Sequence, residues 1–260
     1  MTAVYEPLPT VASGQAIAAP RVPWRVRDTL AGLALVAVVS VAAAVTVLLS
    51  LGSAAALSGG MATTLQLLIL QATMLVVALA LGPMRYRSGA GSLGFRVPAG
   101  EPVAFRVGPV GLTVRWVWLL LWAALGTGIA INMAYSTVVE VLGLERWAPS
   151  AAPVVVAEDG VVRVANSIAI GFLGPMAEEV FYRGFMLAAM VKTMGAVRGS
   201  LVASAIFALS HLNPLAFVPI FTSGLLLAWL YLRTGSIWPP FFAHAAQNLI
   251  VLALTAAEAR

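Results

Sequence analysis

The 260-residue chain is 61% hydrophobic and only 10% charged, with a mean hydropathy of +0.96, which excludes an ordinary soluble domain and marks a polytopic membrane protein. It contains no Cys, so disulfides and thiolate metal sites are excluded, and the ending Ala257-Glu258-Ala259-Arg260 offers no box for self-prenylation. The formal charge of +5 does not imply nucleic acid, because the basic residues gather beside hydrophobic spans, where membrane topology accounts for them.

Residues 1–28 read as a flexible cytoplasmic tail, rich in Ala and Pro over the first 20 positions. Residues 29–255 read as a single transmembrane helical domain, with its motif-bearing core at 162–255. The first span, 29–50, is too long for the apolar core of a cleaved signal peptide and reads as a retained helix. The second runs over 61–81. A basic segment follows, carrying Arg85, Arg87, Arg96, Arg106 and Arg115 with Gly and Pro throughout, and reads as a cytoplasmic loop with short interfacial pieces. The third span, 115–141, opens with Trp116, Trp118 and Trp122, where indole rings favour the interface. The fourth, 162–194, is longer than a straight crossing needs and holds Gly171, Gly174 and Pro175, so a tilted or kinked helix is expected. Spans at 196–212, 215–232 and 236–254 complete an all-α bundle of seven transmembrane helices, or eight, with the active site in the C-terminal ones. With the N-terminus inside, eleven Lys and Arg fall on the cytoplasmic side (21, 25, 27, 85, 87, 96, 106, 115, 192, 198, 233) and three outside (146, 163, 260). The asymmetry supports a cytoplasmic N-terminus, and the expected location is a bacterial-type cell membrane, crossed several times.

Ionisable groups are expensive inside a bilayer, so Glu178, Glu179 and Arg183 within the fourth span, with the chain's only histidines, His211 and His244, downstream, suggest a functional site. Glu178 lies 14 residues from Lys192, His211 lies 13 from Arg198 and His244 lies 11 from Arg233. At 1.5 Å per residue these are depths of roughly 21, 20 and 17 Å. Glu179 and Arg183, four apart, can pair along one helix face, whereas Glu178 is rotated about 100° away and can face a different neighbour. The pairs Phe207/His211 and His244/Asn248 are also four apart, each on one face. A Glu–Arg pair alone is a packing lock, and a lone His or Asn in a span is interhelical glue. The surplus of Glu178, His211, His244 and Asn248 goes further, since together they can supply a base, a second acid/base group and two oxyanion donors.

These residues stand as Glu178-Glu179-Val180-Phe181-Tyr182-Arg183, Phe207-Ala208-Leu209-Ser210-His211 and His244-Ala245-Ala246-Gln247-Asn248. The set, in that order on successive helices, resembles the CAAX protease and bacteriocin-processing (Abi, type II CAAX prenyl endopeptidase) family of intramembrane peptidases, over about residues 165–255. The resemblance implies that Glu178 and His211 activate a water for attack on a peptide carbonyl and that His244 and Asn248 stabilise the oxyanion. Glu179 and Arg183 hold the helix, with Glu179 also available to orient the site.

The expected substrate is a membrane-associated protein or peptide, with a prenylated protein or a bacteriocin precursor among the family's possibilities. No cofactor is favoured. Zinc is the alternative, and Glu178, His211 and His244 would be its bare minimum of ligands, although using both His would remove an oxyanion donor. Two other functions fit the same residues: a non-catalytic membrane scaffold or bacteriocin self-immunity protein, and a proton-coupled transporter. The latter would be expected to show a pair of broken helices, which the sequence lacks.

Overall fold

The computed structural model describes residues 22–50, 59–98, 102–107, 110–144 and 160–258. Among these residues, seven α-helices follow in chain order: α1 (Val26–Ser50), α2 (Gly59–Leu79), α3 (Trp116–Val141), α4 (Gly160–Met194), α5 (Ala196–Leu209), α6 (Phe217–Thr234) and α7 (Trp238–Glu258). All except α5 are long and apolar enough to cross a membrane, and the protein is an integral, multi-pass helical bundle. Large apolar side chains point outward, among them Val38 and Leu49 on α1 and Trp122 on α3, as a lipid solvent allows.

Among the spans and the loop between the second and third, two features depart from what the sequence suggests. The fifth expected span, 196–212, is a 14-residue helix ending at Leu209. At 1.5 Å per residue it covers roughly 21 Å, short of the ~30 Å hydrocarbon core. Asn213-Pro214 keeps the helix from resuming, because the residue before a proline is driven out of the helical region, and Leu212 ahead of it takes a left-handed φ of 52°. The described residues therefore hold six span-length helices where seven were expected. The second departure lies in the basic loop. There β1 (Pro102–Val107) pairs antiparallel with β2 (Val110–Arg115), Pro102 opposite Arg115. Val103, Phe105 and Val107, then Val110, Leu112 and Val114, alternate as strand-forming residues do around Gly108-Pro109.

Residues 1–21 of the expected tail lie outside the described residues. Its remainder, 22–28, is packed. Trp24 is fully buried, its Nε1–H donates to the Phe185 carbonyl at 2.8 Å, and Lys192 Nζ donates to the Val22 carbonyl at 2.8 Å. Nearby, Tyr86 donates to the Asp28 carboxylate at 2.7 Å, and that hydrogen bond pushes the Tyr86 phenol above its ordinary range. These contacts tie the start of α1, the end of α2 and the end of α4 together, so the basic residues flanking those ends share one end of the bundle.

Helix α4 runs through the middle, with every residue from Glu179 to Leu187 buried. Phe181, Phe185, Met186 and Met190 pack there with Trp24, Val77 and Phe207 in the main apolar core. The helix has the irregularity that its Gly and Pro content predicts, in two wide, π-helical stretches at Ala169–Leu173 and Glu179–Leu187. Such stretches occur frequently at functional sites.

Candidate active site

Pro175 starts the local chemistry. It has no N–H, and in the wide stretch before it the Gly174 N–H bonds the Ala169 carbonyl. The Ile170 carbonyl is thereby deprived of both helical partners, the 174 donor being used and the 175 donor absent. Asn248 of α7 fills the gap, its Nδ2 donating to Ile170 O at 2.9 Å. The adjacent Ala169 carbonyl also accepts from Gln71 Nε2 of α2 at 2.9 Å. Asn248 is therefore held with its amide nitrogen toward α4, and its second N–H remains to be given elsewhere.

One turn further on, Glu179 and Arg183 form an ion pair at 2.9 Å, 0% and 3% exposed at their side chains. The Arg183 guanidinium stacks 4.3 Å above the Phe207 ring, which shields a charge that lipid could not solvate. The same Glu179 Oε1 meets His244 Nδ1 at 2.9 Å. Since a carboxylate only accepts, Nδ1 carries the proton and Nε2 turns the other way. There it approaches Glu178 Oε2 at 3.7 Å. Glu178 is 22% exposed at its side chain, while its Oε2 is buried with no hydrogen-bond partner among the described residues.

His211 lies just beyond the end of α5 and is exposed, not inside a span as expected. Its Nδ1 lies 2.8 Å from the Phe207 carbonyl, so Nδ1 donates and Nε2 of the neutral ring is the acceptor. Phe207 sits between the histidines, edge-on to both, with centroids 4.9 Å from His211 and 6.0 Å from His244. Glu178, His211, His244 and Asn248 all line one cavity of about 810 Å³. Among these four, Glu178 and His244 are a close pair at 3.7 Å.

Further polar lining went unread in the sequence: Gln71, Asn132, Ser136, Thr137, Ser223 and Gln247 also face this cavity. Their one sequence signal was polarity inside apolar runs. Ser210 was missed too; it accepts from the buried Tyr182 hydroxyl at 2.8 Å and donates to Phe207 O at 2.7 Å. As for metal, no three His, Asp or Glu side chains among the described residues are grouped to hold an ion, and His244 already spends Nδ1 on Glu179. The Glu179 contact at Nδ1 leaves Nε2 of His244 turned to Glu178, the nitrogen through which a histidine so held either donates or binds an ion.

Residues 160–250 match the family model described as Type II CAAX prenyl endopeptidase Rce1-like. The chain is also similar to the "Putative membrane peptidase YdiL" of Bacillus subtilis (strain 168), 29% identical over 146 residues, which are 55% of this chain and 57% of that relative. The chain thus spans little more than half the length of the curated relative it matches. No solved structure matches it. The matched residues comprise α4 to α6 and more than half of α7, so they contain all six site residues named from the motifs. Helices α1 to α3 precede the matched residues, yet α3 and α2 contribute Asn132 and Gln71 to the cavity.

Proposed function

We propose that the protein is an intramembrane endopeptidase that hydrolyses a peptide bond of a membrane-associated protein or peptide without a catalytic metal. The observation that carries this reading is the juxtaposition of Glu178 and His244 at 3.7 Å in a cavity also lined by His211 and Asn248. Membership of the matched segment in an endopeptidase family model supports it, as does the relative's name.

In the proposed reaction Glu178 takes a proton from water, and the water oxygen bonds to the scissile carbonyl carbon. His211, with an acceptor Nε2 on the same cavity, shares the task of orienting that water. The carbonyl oxygen becomes the oxyanion, held by the free N–H of Asn248 and by Nε2–H of His244. Because Nδ1–H is turned to Glu179, the latter donor exists only when His244 carries both protons, flanked by two carboxylates. The proton on Glu178 then passes to the departing amine as the C–N bond breaks. A cytoplasmic N-terminus, and a substrate that is prenylated or a bacteriocin precursor, belong to the same proposal.

The test is reconstitution in liposomes with membrane-anchored, internally quenched peptides. Wild type is expected to cleave some of them, and Glu178→Gln to lose about 10²-fold or more of that rate while remaining folded. Full cleavage by Glu178→Gln would overturn the assignment.

A further inference from the structure

We propose that the α3 side of the cavity is a binding site for backbone amides of the substrate, formed by Asn132 and Gln247 with Ser136 and Ser223 beside them. The inference rests on the peptidase reading and names how such an enzyme holds its peptide.

All four side chains line the cavity that contains Glu178. Asn132 and Ser136 are four apart on α3 and so share a face, and in a membrane span a polar face turned to a cavity marks the path of a ligand. Asn132 Nδ2 donates to the Gly128 carbonyl at 3.0 Å. That fixes the amide's orientation and leaves Oδ1 and a second N–H for another partner. Gln247 Nε2 donates to Ser223 Oγ at 3.4 Å, a long bond that likewise leaves its Oε1 and one N–H. Gly128 joins the two amides: a Cβ there would lie 2.5 Å from Gln247 Nε2, so the Gln247 amide rests against bare α3 backbone and would have to shift for any side chain at 128.

The chemistry selects the ligand. Two carboxamides each present a donor and an acceptor, as a peptide bond does, and two hydroxyls add either. None of the cavity-lining residues is Lys or Arg, so a phosphate or a free carboxylate would lack a counter-charge here. An extended peptide backbone, neutral and repeating in donors and acceptors, is matched whatever its side chains.

The experiment uses the full chain in liposomes and the membrane-anchored quenched peptide that wild type cleaves fastest. A series is made in which each amide except the scissile one is replaced by an ester, removing one N–H at a time. For wild type, at least one ester is expected to lower kcat/KM by about fivefold to tenfold, the worth of one hydrogen bond. In Asn132→Leu or Gln247→Met, KM for the parent peptide should rise by a similar factor with kcat within about twofold, and the sensitive ester should cost less than about twofold more. A merely structural role would leave the ester's cost unchanged. Ser136→Ala, at an exposed position whose hydroxyl makes no hydrogen bond among the described residues, should show a smaller shift of KM and guards against variants that do not fold. The proposal is overturned if no ester affects wild type, or if the ester costs the variants as much as wild type, while the loss of cleavage in Glu178→Gln still stands. If wild type cleaves no peptide, the peptidase reading falls and this one with it.

Discussion

His244 Nδ1 and Glu179 Oε1 lie 2.9 Å apart, and that same oxygen accepts from Arg183 at 2.9 Å. One fully buried carboxylate therefore both neutralises a buried guanidinium and selects which nitrogen of His244 faces Glu178. The lock and the site are one network, so perturbing the first should reach the second.

Glu179→Gln leaves Arg183 without its carboxylate in a place lipid and protein cannot solvate. Removing one partner of a buried pair costs about 3–5 kcal/mol, and thermal unfolding in detergent should show a loss of that order. In the double variant Glu179→Gln/Arg183→Met the stability should largely return. Cleavage should not, because a neutral amide oxygen holds the His244 Nδ1–H more weakly than the carboxylate it replaces. Recovery of both together would mean that Glu179 acts on stability alone.

Pro175→Ala restores a backbone N–H beside the deprived Ile170 carbonyl. That N–H competes with Asn248 Nδ2, so the amide loses its anchor and activity should fall by about tenfold or more, one oxyanion donor being worth up to about 10²–10³. Stability should rise or stay level, since a proline leaves a helix interior. Parallel loss of both quantities in thermal and kinetic assays would contradict the positioning role.

A strong chelator tests the metal question directly. Cleavage by the reconstituted protein should be unchanged after prolonged treatment with a zinc chelator, and added zinc should not stimulate it. Chelator-sensitive activity restored by zinc would replace the proposed mechanism.

Trp24→Phe keeps the ring packed against Phe185, 5.8 Å between centroids, but removes the only donor on that side chain. The buried Phe185 carbonyl then loses its indole partner, at a cost of about 1–3 kcal/mol, read as a lower Tm. No change in Tm would mean that residues 22–28 behave as the free tail first expected.

The sequence by itself determined the membrane class, because spans need only length and apolarity, and both are local. Residue spacing likewise made the Glu179–Arg183 pair legible, since four positions along a helix fix a shared face. The motif order Glu178-Glu179, His211, His244 pointed to the matched segment for the same reason: it lies in the chain itself. The tertiary structure alone decided which partners meet. Pro175 signalled an irregular helix, yet nothing local says that Asn248, 78 positions from Ile170, answers the carbonyl it frees. The preference of Glu178 for His244, the cavity walls from α3, and the packing of Trp24 on Phe185 are likewise contacts between helices. They are set by how bundles dock and by side chains facing one another across a gap, and one-dimensional spacing carries depth along a helix but not its rotation against a neighbour.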